Sequence, residues 1–104
     1  MKNAATTSKT GSKTRAKTLD GIRFEQMSDD IFVAFITKAR TDIYGRAFKA
    51  SEATRAIREA EGWRVDRCGN VAGAWLPWEP IDSRPRPTVV DAMRAIVDYA
   101  RAPA

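Results

Sequence analysis

The segment from Ser51 to Leu76 limits the folds open to this chain more than any other stretch. Its first residue is a favourable helix N-cap, and small and branched apolar residues then recur at helical spacing as far as Gly62. Residues 63–67 and 71–76 read as two strands joined by a two-residue loop at Gly69-Asn70. The sequence therefore predicts a helix that leads directly into a β-hairpin.

The rest of the chain predicts a few more elements around this unit. Residues 19–27 alternate in part and indicate a strand, and Ser28 then caps a helix that closes near Gly45. After an extended, proline-punctuated stretch, Thr88 caps a last helix that stops at Pro103. We expect an α+β fold: a small single domain of about three helices with a β-hairpin, and a third strand as an option.

Charge separates the N-terminal tail from the rest of the chain. The 104 residues carry a formal net charge of +5. All of that excess lies in the first 19 residues, which hold no acid and five bases: Lys2, Lys9, Lys13, Arg15 and Lys17. After Met1 the tail has no apolar residue larger than alanine, so it cannot bury enough surface to offset its ordering entropy. We expect a disordered basic tail at 1–18 and one domain, neutral overall, at 19–104.

The sequence lacks the residues that most catalytic sites need. There is no histidine, and Cys68 is the only cysteine, which removes Ser-His-Asp and Cys-His catalysis and the usual zinc sites. No glycine-rich loop with the Lys-Ser/Thr of a phosphate-binding loop occurs. We therefore predict a protein that is not an enzyme and that uses no cofactor and no metal, with Cys68 as a small core filler.

Three features of the sequence bear on the cellular location of the protein. The longest apolar run, Ile31 to Ile36, is far shorter than the roughly 20 residues that a membrane helix needs. A single cysteine cannot form an internal disulfide, and the N-terminus has no apolar segment typical of a secretory signal. We predict a cytoplasmic protein that does not bind membranes.

The order helix, helix, hairpin loosely resembles the outline of a winged helix, with residues 51–61 as the reading helix and 64–71 as the wing. That resemblance implies a nucleic-acid-binding protein, with DNA favoured over RNA. Arginines on successive turns of a helix suit phosphate and guanine contacts, provided that they converge on one side. The open alternative is a solvated face held by local ion pairs. The candidate contacts are Lys9, Lys13, Lys17, Thr54, Arg55, Arg58, Arg64 and Arg67.

A second hypothesis makes the neutral body a protein-binding module or inhibitor. Trp75, Trp78 and Arg64 are its candidate anchors, because tryptophan and arginine dominate interface hot spots. Arg64 is expected to stack on Trp75 across the hairpin. A phage or mobile-element product that blocks a host nucleic-acid-handling complex would have this character. Val90 gives the last helix a second apolar edge, so a homodimer through that helix is an option.

Overall fold

The computed structural model describes residues 15–103 and has a mostly-β fold, in which a seven-strand antiparallel open sheet packs against one C-terminal helix. The elements are β1 Arg15–Leu19, β2 Ile22–Ser28, β3 Ile31–Thr41, β4 Ala47–Glu59, β5 Gly62–Val71, β6 Ala74–Trp75, β7 Glu79–Arg86 and α1 Val89–Arg101. Strands β1 to β6 are neighbours in chain order, and β7 pairs with the part of β5 that β6 leaves free. The predicted α+β fold with three helices and a winged-helix outline is wrong.

The two helices predicted before the hairpin are in fact the long strands β3 and β4, which pair over their whole facing length. In β3, Phe32 and Ala34 point to the helix while Val33 and Phe35 point away, so both faces are apolar and no alternation is visible. A continuous apolar run of this kind is equally compatible with the apolar face of a helix. Its β-branched and aromatic composition is the signal that favours a strand.

The predicted hairpin has the wrong turn. Strand β5 runs straight through Gly69-Asn70, and the chain reverses at Ala72-Gly73 instead. The Asn70 side chain serves that later turn, because its Oδ1 accepts a hydrogen bond from the Gly73 backbone N at 3.0 Å. A two-residue loop at Gly69-Asn70 would place Trp63 opposite Leu76, but Trp63 lies opposite Arg58 and Arg86.

Three of the predicted elements are confirmed. Strand β2 overlaps the predicted strand at residues 22–27, with Phe24 fully buried. The proline-rich stretch is extended and contributes β7. Helix α1 begins after Thr88, whose hydroxyl accepts a hydrogen bond from the Asp91 backbone N at 3.1 Å. These elements have a cap, prolines or a partial alternation, which local sequence encodes directly.

The core lies between α1 and one face of the sheet. Its buried members are Phe24, Phe32, Ala34, Ala56, Trp63 and Val65 from the strands, and Ala92, Met93, Ile96 and Val97 from the helix. Among residues 15–103 the one helix covers only one face of the sheet, and no helix lies on the opposite face of the same strands, although Ala53, Asp66 and Cys68 on that face are buried. We call that side of β3, β4 and β5 the open face.

A buried polar cluster fixes the last turns of α1 to the sheet. The Glu52 carboxylate accepts hydrogen bonds from Arg40 Nη2 and the Tyr99 hydroxyl, both at 2.6 Å, and from Arg67 Nε at 3.2 Å. Burial alone would raise the pKa of Glu52, but the bonds from Tyr99 and Arg40 and the charge of Arg67 outweigh it and lower that pKa. Nearby, Lys38 Nζ donates to the Ala102 carbonyl at 2.8 Å.

The β3–β4 hairpin extends beyond the strands that flank it. Its distal part, residues 37–51, is a two-stranded ribbon that we call the finger. At its tip the Asp42 carboxylate accepts hydrogen bonds from the backbone N of Tyr44 and of Arg46, each at 2.9 Å. The backbone bond from Arg46 is the main reason that the pKa of Asp42 is lowered. Ile43 and Tyr44 at the tip are strongly exposed.

Strand β1 begins inside the segment that the sequence predicts to be a disordered tail. Residues 15–18 belong to that predicted tail, and in the structure they form part of β1 at the edge of the sheet. Its register on β2 runs from Arg15 opposite Gln26 to Leu19 opposite Ile22. Residues 1–14 lie outside the described residues, and they include the nucleic-acid candidates Lys9 and Lys13.

Candidate binding face

An apolar groove crosses the open face. It has a volume of about 290 Å³ and is lined by Val33, Phe35, Ala53, Cys68, Trp75, Leu76 and Trp78. Alternation along the strands puts the first four of these residues on the side away from α1, opposite the core. Trp75 lies in β6, and the other two residues follow it as the chain crosses towards β7. We call this feature the aromatic groove.

Large apolar side chains in the aromatic groove are open to solvent. The exposed fractions are 66% for Phe35, 49% for Trp75, 44% for Leu76 and 39% for Trp78. Phe35 and Trp75 pack against each other with ring centroids 5.8 Å apart. Scattered single apolar side chains on a surface are ordinary, but a contiguous patch of this kind is typical of an interaction site.

An arginine is held rigidly at the edge of the groove. The Arg55 guanidinium lies 4.5 Å from the ring centroid of Trp78, and its Nε donates to Asp66 Oδ2 at 2.8 Å. Asp66 is buried and also accepts a hydrogen bond from Arg64 Nε at 3.1 Å. Within the part of the chain that the structure describes, no hydrogen bond uses the Nη atoms of Arg55. The side chain therefore has a fixed position and free donors.

The arginines proposed for nucleic acid do not converge. Arg55 and Arg64 lie on the open face, whereas Arg58 and Arg67 lie on the face that α1 covers. Arg58 packs 5.6 Å from the ring centroid of Trp63, which belongs to the core. The reading head inferred from the sequence requires one common side, and the alternation of β4 and β5 divides the four residues equally between two.

Each of these arginines is also paired with a carboxylate. Besides the Asp66 pairs, Arg64 Nη1 lies 2.6 Å from Glu59, and Arg58 Nη2 lies 2.6 Å from Asp30. Arg67 contacts both Glu52 and Glu79, at 3.2 Å and 3.4 Å. Their positive charge is therefore largely balanced inside the protein, mostly by carboxylates that are distant in sequence rather than by local pairs on a helix face.

The remaining nucleic-acid candidates are dispersed. Thr54 is fully buried, and its hydroxyl donates to the Ala34 carbonyl at 2.8 Å, so it is a core residue. Lys17 is exposed on β1, at the edge of the sheet. The Thr54 side chain lies on the face of β4 opposite to that of its neighbour Arg55, and Lys17 lies on the edge strand β1, so neither joins the arginines of the open face.

The protein-interface candidates fall on one surface. Trp75 and Trp78 line the same groove, and Arg64 is linked to it through Asp66 and Arg55. The stacking expected between Arg64 and Trp75 is not formed; the pair that does form is Arg55 on Trp78. The predicted register is wrong, so the predicted stacking partner is wrong as well.

Of the five groove residues that sequence reasoning does not propose as anchors, Phe35 and Leu76 are the exposed ones. Phe35 fits the buried stripe of the predicted helix, although its neighbours Val33 and Thr37 are both β-branched and share its side of a strand. β-Branched and aromatic residues two apart were the available signal for that strand face. Leu76 is expected on a strand face that packs against the helices, and no local feature of the sequence points to its exposure.

A larger recess of about 450 Å³ lies between β7 and α1, but its lining is of mixed charge. Asp82, Asp91 and Asp98 line it together with Arg86 and Arg94. Asp82 already accepts a hydrogen bond from Arg86 Nη2 at 2.7 Å. Because the acidic and basic side chains of this recess pair with one another, few charged groups remain free to bind a ligand. The aromatic groove is therefore the stronger candidate site.

Other chemistry is sparse among residues 15–103. Burial raises the pKa of the Cys68 thiol, which makes it a poor nucleophile at neutral pH. No group of three or more Cys, Asp and Glu side chains in this range is placed to hold a metal ion, and no helix in it is long and apolar enough to cross a membrane. No protein-family model, curated protein or solved structure matches this chain.

Proposed function

We propose that this protein is a binding module that docks onto a protein partner through its open face. The observation that carries the proposal is the aromatic groove, in which Phe35, Trp75, Leu76 and Trp78 stand partly exposed beside the anchored Arg55. Aromatic residues and arginine at the centre of a surface patch are the usual composition of interface hot spots.

Burial of these side chains supplies the driving force for docking. Complete removal of a large apolar side chain from water is worth about 1.5–3 kcal/mol, so the remaining exposure of Phe35 and Trp75 is worth about 1 kcal/mol or more for each. Since the groove walls are already packed on one another, little side-chain entropy is lost when a partner fills it.

Paired charges favour a protein over a nucleic acid as the partner. A nucleic-acid surface needs cations that are free to replace the counterions of successive phosphates. On the open face, Arg55 and Arg64 share one buried carboxylate, and Arg64 is held by Glu59 as well. A phosphate backbone laid across this face would be repelled by the Glu59 carboxylate.

The test is a selection of random peptides displayed on a surface, carried out in parallel on three forms of the full chain. They are the wild type, the double variant Trp75→Ser/Trp78→Ser, and the matched control Ile43→Ser/Tyr44→Ser. The control removes two exposed apolar side chains from the finger tip and leaves the groove intact. Circular dichroism and urea unfolding verify that all three are folded.

We expect peptides rich in apolar residues to bind the wild type and the finger control, and to lose at least about tenfold in affinity for the groove variant. Peptides that bind all three forms alike, or an absence of selected peptides, would overturn the proposal. The same proteins are titrated with oligo-dT and random duplex DNA at several salt concentrations. Binding of either DNA that requires Trp75 and Trp78 would replace the protein partner by a nucleic acid.

Other expectations from the sequence stay predictions. They are a host nucleic-acid-handling complex as the target, a phage or mobile-element origin, a cytoplasmic location, the absence of catalysis, and a homodimer through α1. For the last of these, Val90 is half exposed on α1, whereas the buried face of the helix packs on the sheet.

A further inference from the structure

The geometry points to an acidic amphipathic peptide segment as the occupant of the aromatic groove: an apolar side chain of the partner enters the groove, and an Asp or Glu carboxylate one or two residues away binds the Nη atoms of Arg55. This inference rests on the proposed docking function and specifies the chemistry of the docked segment.

Arg55 is built to receive an anion. Its Nε is held by Asp66, which is buried, and its flat face is supported by Trp78, so the side chain has one orientation. Hydrogen bonding through Nε leaves the outer Nη edge of the guanidinium as the free donor pair among the contacts described above. A guanidinium edge fixed in this way matches a carboxylate in bidentate geometry.

The groove and the guanidinium are adjacent, which sets the spacing in the ligand. Trp78 is both a wall of the groove and the ring on which Arg55 stacks. A segment that seats an apolar group against Trp78 therefore needs its carboxylate within one or two residues along an extended chain, since each residue advances about 3.3 Å. A purely apolar segment would leave the Arg55 donors without a partner.

Long-range charge favours the same ligand. The chain has a formal net charge of +5, all of it from residues 1–19, and a pI of about 9.8, so an acidic segment is attracted to the chain before contact. A polyphosphate chain is disfavoured because it presents a negative charge at every unit, whereas Asp66, Glu59 and Glu25 lie on or beside the same face. A peptide with a single carboxylate can bind the Arg55 guanidinium without placing further negative charges beside these acidic residues.

The test is a double-mutant cycle between peptide and protein. The probe is the tightest groove-dependent peptide from the display selection, synthesised with blocked ends, and its copy in which the acidic residue is changed to the amide. Each is titrated onto the wild type, Arg55→Gln, Arg55→Lys and the control Arg58→Gln. Arg58 pairs with Asp30 on the opposite face of the sheet, so its change removes a positive charge without touching the groove.

We expect the amide copy to bind the wild type and Arg58→Gln about tenfold more weakly than the acid. The ratio of dissociation constants, amide copy over acidic peptide, should fall to about one in Arg55→Gln. Lysine keeps the positive charge but lacks the paired Nη donors, so in Arg55→Lys this ratio should lie between the value in Arg55→Gln and that in the wild type. If Arg55→Gln does not fold, the ratio in Arg55→Lys tests the prediction. A ratio near one in the wild type would overturn the acidic ligand while leaving groove docking intact. If no groove-dependent peptide exists, the docking proposal itself has failed.

Discussion

At the scale of single residues, Glu52 is the buried charge on which the helix–sheet contact depends. Its carboxylate joins β4 to β3 through Arg40, to β5 through Arg67 and to α1 through Tyr99. Replacement by glutamine removes the counter-charge of Arg40 and leaves the largely buried Arg67 with Glu79 alone, at 3.4 Å. We expect Glu52→Gln to lower the free energy of unfolding by about 3 kcal/mol at neutral pH, as measured by urea denaturation.

The pH dependence of that loss identifies its cause. The folded-state pKa of Glu52 lies below its usual value of 4.5, so its ionisation stabilises the protein above that pH and the contribution is lost as pH falls through the folded value. The difference between wild type and Glu52→Gln should therefore shrink in acid. The control Tyr99→Phe removes two hydrogen bonds, the one that the hydroxyl donates to Glu52 and the one that it accepts from Arg40, and should cost about 2 kcal/mol. A pH-independent difference would contradict the ionic explanation.

The same residue shows why β4 could not be predicted. Glu52 and Thr54 are buried on the helix side of the strand, where an apolar residue is expected, and the remaining alanines and Ile57 happen to fit a helical stripe. Their burial is stabilised by partners from other strands and from α1: Arg40, Arg67, Tyr99 and the Ala34 carbonyl. Those partners are distant in sequence, so no local pattern contains the information.

At the scale of elements, the turn between β4 and β5 depends on Gly62. Its φ is +135°, and a Cβ there would lie 2.6 Å from the Arg86 carbonyl oxygen of β7. Backbone cannot move aside as a flexible side chain can, so we expect Gly62→Ala to cost about 3 kcal/mol of unfolding free energy. Thermal or urea unfolding measures the change.

Gly45 at the finger tip provides the matched control. Its φ is also positive, +81°, but a Cβ there would meet nothing within 4 Å beyond its own chain neighbours. Gly45→Ala should therefore cost about 1 kcal/mol, the backbone contribution alone. Equal losses for the two variants would mean that the β7 backbone does not constrain the turn.

Elements with local signals are predictable from the sequence, and those defined by distant pairing are not. Helix α1 carries its own cap at Thr88 and a single apolar stripe, and the prolines before it exclude a helix. Strand β3 has apolar side chains on both faces because one face is core and the other is the aromatic groove. The groove thus removes the alternation that would have identified the strand.

At the scale of the whole molecule, the candidate site is predictable only in part. Residue type alone makes Trp75 and Trp78 candidate anchors. Their assembly with Phe35 and Leu76 depends on the order of β3, β4, β5 and β6 in the sheet, which the sequence does not reveal. The sequence proposes Arg55 as a reader of nucleic acid, and its pairing with Asp66 arises only in the sheet.

Charge at the N-terminus should govern how fast the docked complex forms, and not how long it lasts. Changing Lys2, Lys9 and Lys13 to glutamine lowers the formal net charge from +5 to +2 without altering the groove. We expect association with the acidic peptide to slow several-fold at low salt and to lose part of its salt dependence, because steering depends on net charge. Dissociation should be unchanged, because the contacts that hold the peptide lie at the groove and Arg55. Surface plasmon resonance at several salt concentrations separates the two rates, and a faster dissociation would show that these lysines touch the peptide directly.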